Sequence, residues 1–390
     1  MRRSMAKLCA AVLVLGLVAA ACGSSSKKTA SGSTPTTGGA SALPPVVKTA
    51  FILDLTGAAA FAGTAAKEGA DYAVSDIAAK GFLGSTKIEI DYNDAGSDKQ
   101  KAIDAMTKIA NSDDVAMFGP IFSQETVATT PIAQQKGILD ITVQSGVPGV
   151  VETGDFIYRM TPPQSSTVHK TAEKAAKDGA KSAALIYDGS NPTISDLGKN
   201  AFPTAFGKLN VKVADSEAFQ ATDTDFAAIA TKVVAAKPDI VGILATGSKN
   251  TTIITQLRQL GYNGPLFGQQ GMGNQVLKPV SAQAEGAFWS TTYTVDATAA
   301  STKEFTQGFT AKMGHDPTNF QAEAFDAVWL FARGLKAAGK VDRTAVRDGV
   351  AGVTKQGIDG ALGHVTFENR DARIDGVLVA WKGGKETLAG

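Results

Sequence analysis

Cysteine is almost missing from this chain: there are two in 390 residues, Cys9 and Cys22, and none after position 22. A fold built from the later residues therefore has no disulfide, no cysteine nucleophile and no thiolate metal site. Histidine is nearly as scarce. His169, His315 and His364 lie far apart, and none sits in an HExxH spacing. An excess of basic charge is absent too, with 38 Lys and Arg against 37 Asp and Glu, which argues against a nucleic-acid binder. The phosphate-loop pattern fails at its nearest match, Gly242 to Lys249, where Ser248 stands in the lysine position. Neither GxSxG nor a helix-opening GxGxxG occurs. Nothing favours catalysis, and no cofactor, catalytic residue or resident metal is expected. Aromatic residues make up only 7%, and the many alanines in helical segments fit close packing of helices on a sheet.

A membrane-spanning run is also lacking. The apolar stretch from Leu8 to Ala21 has 14 residues, against the roughly 20 a spanning helix needs. Preceded by Arg2, Arg3 and Lys7, it reads as the apolar part of a secretory leader. The end of that leader, Ala19-Ala20-Ala21-Cys22, resembles the lipobox of bacterial lipoproteins. The resemblance implies cleavage after residue 21, lipidation of Cys22 and an extracytoplasmic protein held to the cell membrane by that lipid alone. Residues 22–45 are rich in Ser, Thr, Gly and Pro and form an expected tether. Removal of residues 1–21 takes away three basic residues and no acid, turning a net charge of +1 into −2.

From Val46 onward the pattern is regular. Strand-like runs at Lys48–Leu53, Lys87–Tyr92, Val115–Phe118 and Ile138–Thr142 alternate with helical segments near 62–80, 98–111 and 123–136. The rhythm pauses at Phe156–Pro163 and restarts, with strands predicted at Ala183–Tyr187, Val211–Ser216, Ile240–Leu244 and Leu266–Phe267. This spacing predicts an α/β fold of two similar doubly wound parallel-sheet lobes. The last hundred residues, helical at 302–313, 319–338 and 343–350 and strand-like at 364–367 and 376–381, are too poor in strands for a third domain. They are expected to complete both lobes. The first lobe would comprise 46–163 plus about 292–355, and the second 164–291 plus about 356–390.

Ligands of open α/β sheets sit beyond the carboxyl ends of strands, near helix N-termini. Five loops there are polar or glycine-rich. Leu55–Gly63 carries Phe61, with Gly57 and Gly63 allowing close backbone approach, and Gly119–Thr126 carries Ser123, a helix N-cap candidate. Val143–Gly146 contains Gln144, Ser145 and Gly146, Thr246–Ser248 ends on Ser248, and Gly268–Asn274 contains Gln270 and Gly271. Two lobes that each present such loops make a cleft suited to clamping a small molecule.

The chain resembles the type I periplasmic solute-binding proteins, specifically the Leu/Ile/Val-binding group that feeds branched-chain amino acid ABC transporters. The resemblance rests on Gly57 and Gly63, Gly119-Pro120 with Ser123 and Thr126, Gly137-Ile138-Leu139 leading to Ser145, Asp225-Phe226, Leu257-Arg258-Gln259 with Gly261, Gly268 to Asn274, Glu285-Gly286, Ala324 to Ala327, and Gly360 to Phe367. It implies lobes joined by a three-strand hinge, a monomer, and an ABC permease and its ATPase as partners. It also implies a ligand carboxylate held at Ser123 and the Gln144–Gly146 loop, with an aromatic at Phe61 beside it. An acidic residue receives the ligand's ammonium group where this chain has Gln270. Glu125 is a candidate to supply the missing charge. The neutral Gln270 keeps a short amide, a carboxylic acid or an aromatic acid in competition with an amino acid, and a sensory binding subunit is the alternative to transport.

Overall fold

The computed structural model describes residues 43–389, so the leader, Cys22 and most of the tether lie outside the described residues. In the first series, β1 (Val46–Leu53), β2 (Lys87–Asp94), β3 (Ala116–Phe118), β4 (Leu139–Thr142) and β5 (Ile157–Arg159) alternate with α1 (Ala60–Ala79), α2 (Lys99–Ala110) and α3 (Ser123–Lys136). In the second series, α4 (Val168–Lys177) leads to β6 (Ser182–Asp188), α5 (Pro192–Asp196), α6 (Phe202–Lys208), β7 (Lys212–Phe219), α7 (Ala227–Ala235) and β8 (Ile240–Leu244). It ends with α8 (Ser248–Gln259), β9 (Leu266–Gly268), α9 (Asn274–Leu277) and β10 (Phe288–Thr291). The chain then runs through α10 (Ala300–Met313), α11 (Asn319–Ala338) and α12 (Arg343–Thr354). Five strands close it: β11 (Ile358–Gly360), β12 (Gly363–Glu368), β13 (Asp371–Arg373), β14 (Val377–Lys382) and β15 (Lys385–Leu388).

The strands form two sheets, ordered β11-β12-β13-β5-β4-β3-β1-β2 and β15-β14-β10-β9-β8-β6-β7. Their parallel parts share one plan. Strand two lies outside strand one, and strands three to five follow on the other side, so the order reverses beside β1 in the first lobe and beside β6 in the second. Each sheet also carries antiparallel strands at one edge, an addition to the all-parallel lobes expected. The central strands are buried on both faces, as covered parallel sheets require. Phe51, Phe118, Leu139 and Ile141 pack on the α1 and α11 side, whereas Ala50, Ile52, Met117 and Ile157 pack toward α2 and α3. The second lobe repeats this, with Trp289 and Trp381 wholly buried.

The backbone crosses between lobes three times, after β5, after β10 and between β13 and β14. The third crossing corrects the expected boundary near 355. Strands β11 to β13 remain in the first sheet, and the chain passes to the second lobe only at residues 374–376. Two buried interactions hold the segment there. The Asp326 carboxylate accepts the Ala361 and Leu362 amides at 2.7 and 2.9 Å, and Arg159 on β5 pairs with Asp371 on β13 through bonds of 2.5 and 2.7 Å. Among the described residues no helix is long and apolar enough to cross a membrane.

Candidate functional site

In doubly wound sheets the crevice opens where the strand order reverses, outside the carboxyl ends of the strands. In the first lobe that point lies between β1 and β3. Its loops deliver Ala59 and Phe61 at the start of α1, and Ile121, Phe122 and Ser123 at the start of α3. In the second lobe it lies between β6 and β8, whose loops deliver Asn191, Thr193 and Thr246. Both sets line one pocket of about 70 Å³, so the two reversal points face each other across the cleft. A larger groove of about 760 Å³ runs along the crossings, lined by residues including Thr292, Tyr293, Ile374 and Gly376. It meets neither reversal point.

Of the residues singled out from the sequence, Phe61, Ser123, Gln144, Gln270 and Gly271 line the pocket. The ring of Phe61 meets that of Phe320 edge to face, 5.6 Å between centroids, giving the pocket an apolar wall. Ser123 is not the helix cap expected. Phe122 occupies the cap position of α3 with no side-chain bond, and the Ser123 hydroxyl lies 2.7 Å from Thr193 Oγ1, joining the lobes. The Glu125 amide in the first turn of α3 already donates to the Phe122 carbonyl at 3.0 Å, so the positive end of the helix favours an anion beside the Ser123 and Gln124 amides that precede it.

Three residues do not line the pocket. Ser145 is buried behind it, its carbonyl accepting from Arg159 Nη1 at 3.3 Å. Gly146 packs against the first crossing, where an added β-carbon would come within 2.6 Å of Gln164 Cγ. Ser248 opens α8 and is exposed, while Thr246, two residues before it, faces the cleft. The Gln144 amide also departs from expectation. Its backbone N–H does not remain free for an anion but donates to Thr161 Oγ1 at 2.5 Å. Its side chain donates from Nε2 to the Phe320 carbonyl at 3.1 Å, leaving Oε1 buried and unpartnered.

No ionisable side chain lines this pocket. Glu125, a candidate for the missing charge, is wholly buried away from it. Burial, reinforced by the neighbouring Asp54, pushes its pKa upward, and burial raises Asp54 as well. The two carboxyls thus hold a proton inside the first lobe rather than facing the cleft.

Two acids stand near the cleft: Glu386 lines an adjoining pocket that shares Phe61, Gly271 and Phe320, and Glu323, on the second turn of α11 and fully buried, stands behind Gln270. Its Oε2 accepts from Thr161 Oγ1 at 2.5 Å, on the first crossing. Its Oε1 accepts from Thr292 Oγ1 at 2.6 Å, on the second, and from Gln270 Nε2 of the second lobe. Burial pushes the Glu323 pKa up to about 7 against the pull of these donors. The sequence signal was an acid inside a helix that is otherwise mostly apolar from Phe320 to Ala332. Thr161 and Thr292 carry no local signal, because only the crossings bring them to the cleft, and Thr193 lies in the short α5 after β6, outside the five loops singled out from the sequence.

A family described as periplasmic binding protein matches residues 46–384 of this chain. A Leu/Ile/Val-binding protein of Rhizobium johnstonii is 24% identical over 352 residues, covering 87% of this chain and 92% of that protein. A leucine-binding protein of Thermotoga maritima superposes with a TM-score of 0.80 at 25% identity, covering 88% of this chain and 98% of that one. An ABC-transporter solute-binding protein of R. palustris, solved in complex with benzoate, superposes at 0.79 with 21% identity, covering 88% and 96%.

Proposed function

The chain belongs to the periplasmic binding protein family, and we propose that it is the extracytoplasmic solute receptor of an ABC importer, anchored to the cell membrane through lipidated Cys22. It works as a monomer and delivers its ligand to a permease driven by an ATPase. The ligand is a small amino-acid-like carboxylate, clasped when the lobes rotate about the three crossings. The carboxylate lies at the N-terminus of α3 beside Ser123, and the apolar part lies against Phe61 and Phe320. The leading support is the pocket itself, built from the strand-order reversal points of both lobes at once. The leucine-binding protein of Thermotoga maritima lends the ligand class its weight.

An aromatic acid is the second reading. It is favoured by the Phe61–Phe320 wall, by the absence of an ionisable lining side chain and by the benzoate-bound R. palustris neighbour. A thermal-shift panel on protein beginning at Leu43, with leucine, isoleucine, valine, short amides and benzoates, separates the two. The expected result is a shift with an aliphatic amino acid. A shift with benzoates alone selects the second reading, and no shift with any member contradicts both. Ser123→Ala is expected to weaken the bound carboxylate by about 1 kcal/mol or more, the worth of one hydrogen bond. Unchanged affinity in calorimetry would reduce Ser123 to its contact with Thr193.

A further inference from the structure

Gln270 meets the pocket with its side-chain amide, and an amide can present either an acceptor or a donor. Its orientation follows from what lies behind it. Nε2 donates to Glu323 Oε1 and, at 3.3 Å, to Thr292 Oγ1. Thr292 has already given its own hydrogen to Glu323, so it can only accept from Gln270. Turning the amide over would set Oε1 against a carboxylate oxygen and against a hydroxyl with no hydrogen to offer. With Glu323 ionised, only the NH2-inward orientation satisfies the cluster, and Oε1 is the part left for the pocket.

We propose that Glu323 is the positioning residue that sets the ligand specificity of the cleft: by fixing Gln270 with its oxygen toward the pocket, it selects a ligand that carries an ammonium or amide N–H at the second-lobe end. This rests on the reading of the pocket as the ligand site. Its negative charge stands one hydrogen bond behind Gln270, in a buried setting that favours a cation in front. Gln144 reinforces the selection from the first lobe. Its NH2 is held by the Phe320 carbonyl, which leaves a second amide oxygen unpartnered in the pocket wall. The same network reaches its backbone, since the Gln144 N–H donates to Thr161, which donates to Glu323. A bare carboxylic acid would leave both oxygens without a donor, and buried polar groups left unpaired discriminate strongly.

Protonation of Glu323 removes the constraint, because its hydroxyl can then donate to Gln270 Oε1 and let the NH2 face outward. The side chains bonded to the carboxyl, from both crossings and from the second lobe, are the uncharged Thr161, Thr292 and Gln270. Asn319, one turn earlier on the same helix, also turns its amide toward the carboxyl, Asp326, the next acid along it, is committed to the 361–362 amides, and Glu386, raised by burial to about 7, lines the adjoining pocket beside Asn319 and Phe320. The raised pKa of Glu323, near 7, places the change within reach of ordinary buffers.

Calorimetry with L-leucine, its amine-free analogue 4-methylpentanoate and benzoate, at about pH 8.5 and about pH 6, tests this. At the higher pH the wild type is expected to bind leucine about tenfold or more tightly than 4-methylpentanoate. At the lower pH that ratio narrows. In Glu323→Gln the ratio falls to within about threefold at both values, since a neutral amide accepts either orientation of Gln270. Equal weakening of both ligands by the substitution, with the ratio and its pH dependence intact, overturns the proposal. Wild type that binds benzoate or 4-methylpentanoate in preference to leucine overturns it while leaving the cleft as the site. Wild type that binds none of the three overturns the reading of the pocket itself. Should Glu323→Gln fail to fold, the wild-type ratio at the two pH values decides alone.

Discussion

Replacing Arg159 with Met should destabilise the protein by about 3–5 kcal/mol, the cost of breaking one side of a buried ion pair. Arg159 is only 1% exposed and grips Asp371 with two nitrogens, Nε to Oδ1 at 2.5 Å and Nη2 to Oδ2 at 2.7 Å. Without it the Asp371 carboxylate stays buried, with only Arg373 Nη1 at 3.3 Å in partial compensation. The remaining nitrogen, Nη1, binds the carbonyls of Ser145 and Val147, so the substitution also loosens the loop that carries Gln144. Urea unfolding monitored by Trp fluorescence reads the loss. The double substitution Arg159→Met with Asp371→Leu should recover most of it, because an apolar pair leaves no charge stranded. A loss below about 1 kcal/mol in the single variant would mean that the pair is solvated, and would remove the reason given for strands β11 to β13 staying with the first lobe.

Gly63→Ala is expected to be nearly as damaging and to abolish ligand binding. Gly63 lies in the first turn of α1, and a β-carbon there would sit 1.8 Å from the Asp54 carbonyl oxygen and 2.5 Å from its carbon. Both atoms are backbone at the end of β1, so no side chain can swing aside. Helix α1 must retreat and carry Phe61 out of the pocket wall. Overpacking of this kind costs about 1–3 kcal/mol, at times more. Gly207→Ala is the control. It lies in α6 with nothing near its added carbon, and alanine there should be neutral or stabilising by up to about 1 kcal/mol. Equal melting temperatures for the two variants would contradict the close approach at Gly63.

The βα rhythm of each lobe was legible because buried parallel strands and amphipathic helices leave local signatures. Helix α11 matches its predicted span of 319–338, and β8 its predicted 240–244. Strands β5, β10, β11, β13 and β15 have no local strand signature in the sequence. They have three or four residues each, and β5 and β13 carry the charged Arg159 and Asp371, so their state is set by distant partners rather than by local preference. That is also why the sequence pattern alone puts the return to the second lobe too early. Within the site, the strand-end loops pointed to Phe61, Ser123, Gln144, Gln270 and Gly271. They did not distinguish pocket-facing Thr246 from Ser248, because the turn at Gly247, with a φ of 59°, separates the two just before α8 begins. Glu323 is hidden in the sequence for a different reason. It meets Gln270, 53 residues away, only after the chain has crossed between lobes.

The central claim, that a small ligand is held inside a cleft closed by rotation of the lobes, is tested most directly by tying the cleft shut. Ser123 and Thr193 meet across it at 2.7 Å, and there is no cysteine among residues 43–389 to compete. The doubly substituted protein Ser123→Cys with Thr193→Cys, beginning at Leu43, can be oxidised with or without L-leucine present. The account predicts that the reduced protein binds and exchanges radiolabelled leucine. The oxidised protein should neither take up fresh leucine nor release leucine loaded before oxidation, and reduction should restore exchange. Oxidised protein that exchanges leucine as freely as the reduced form would contradict the claim.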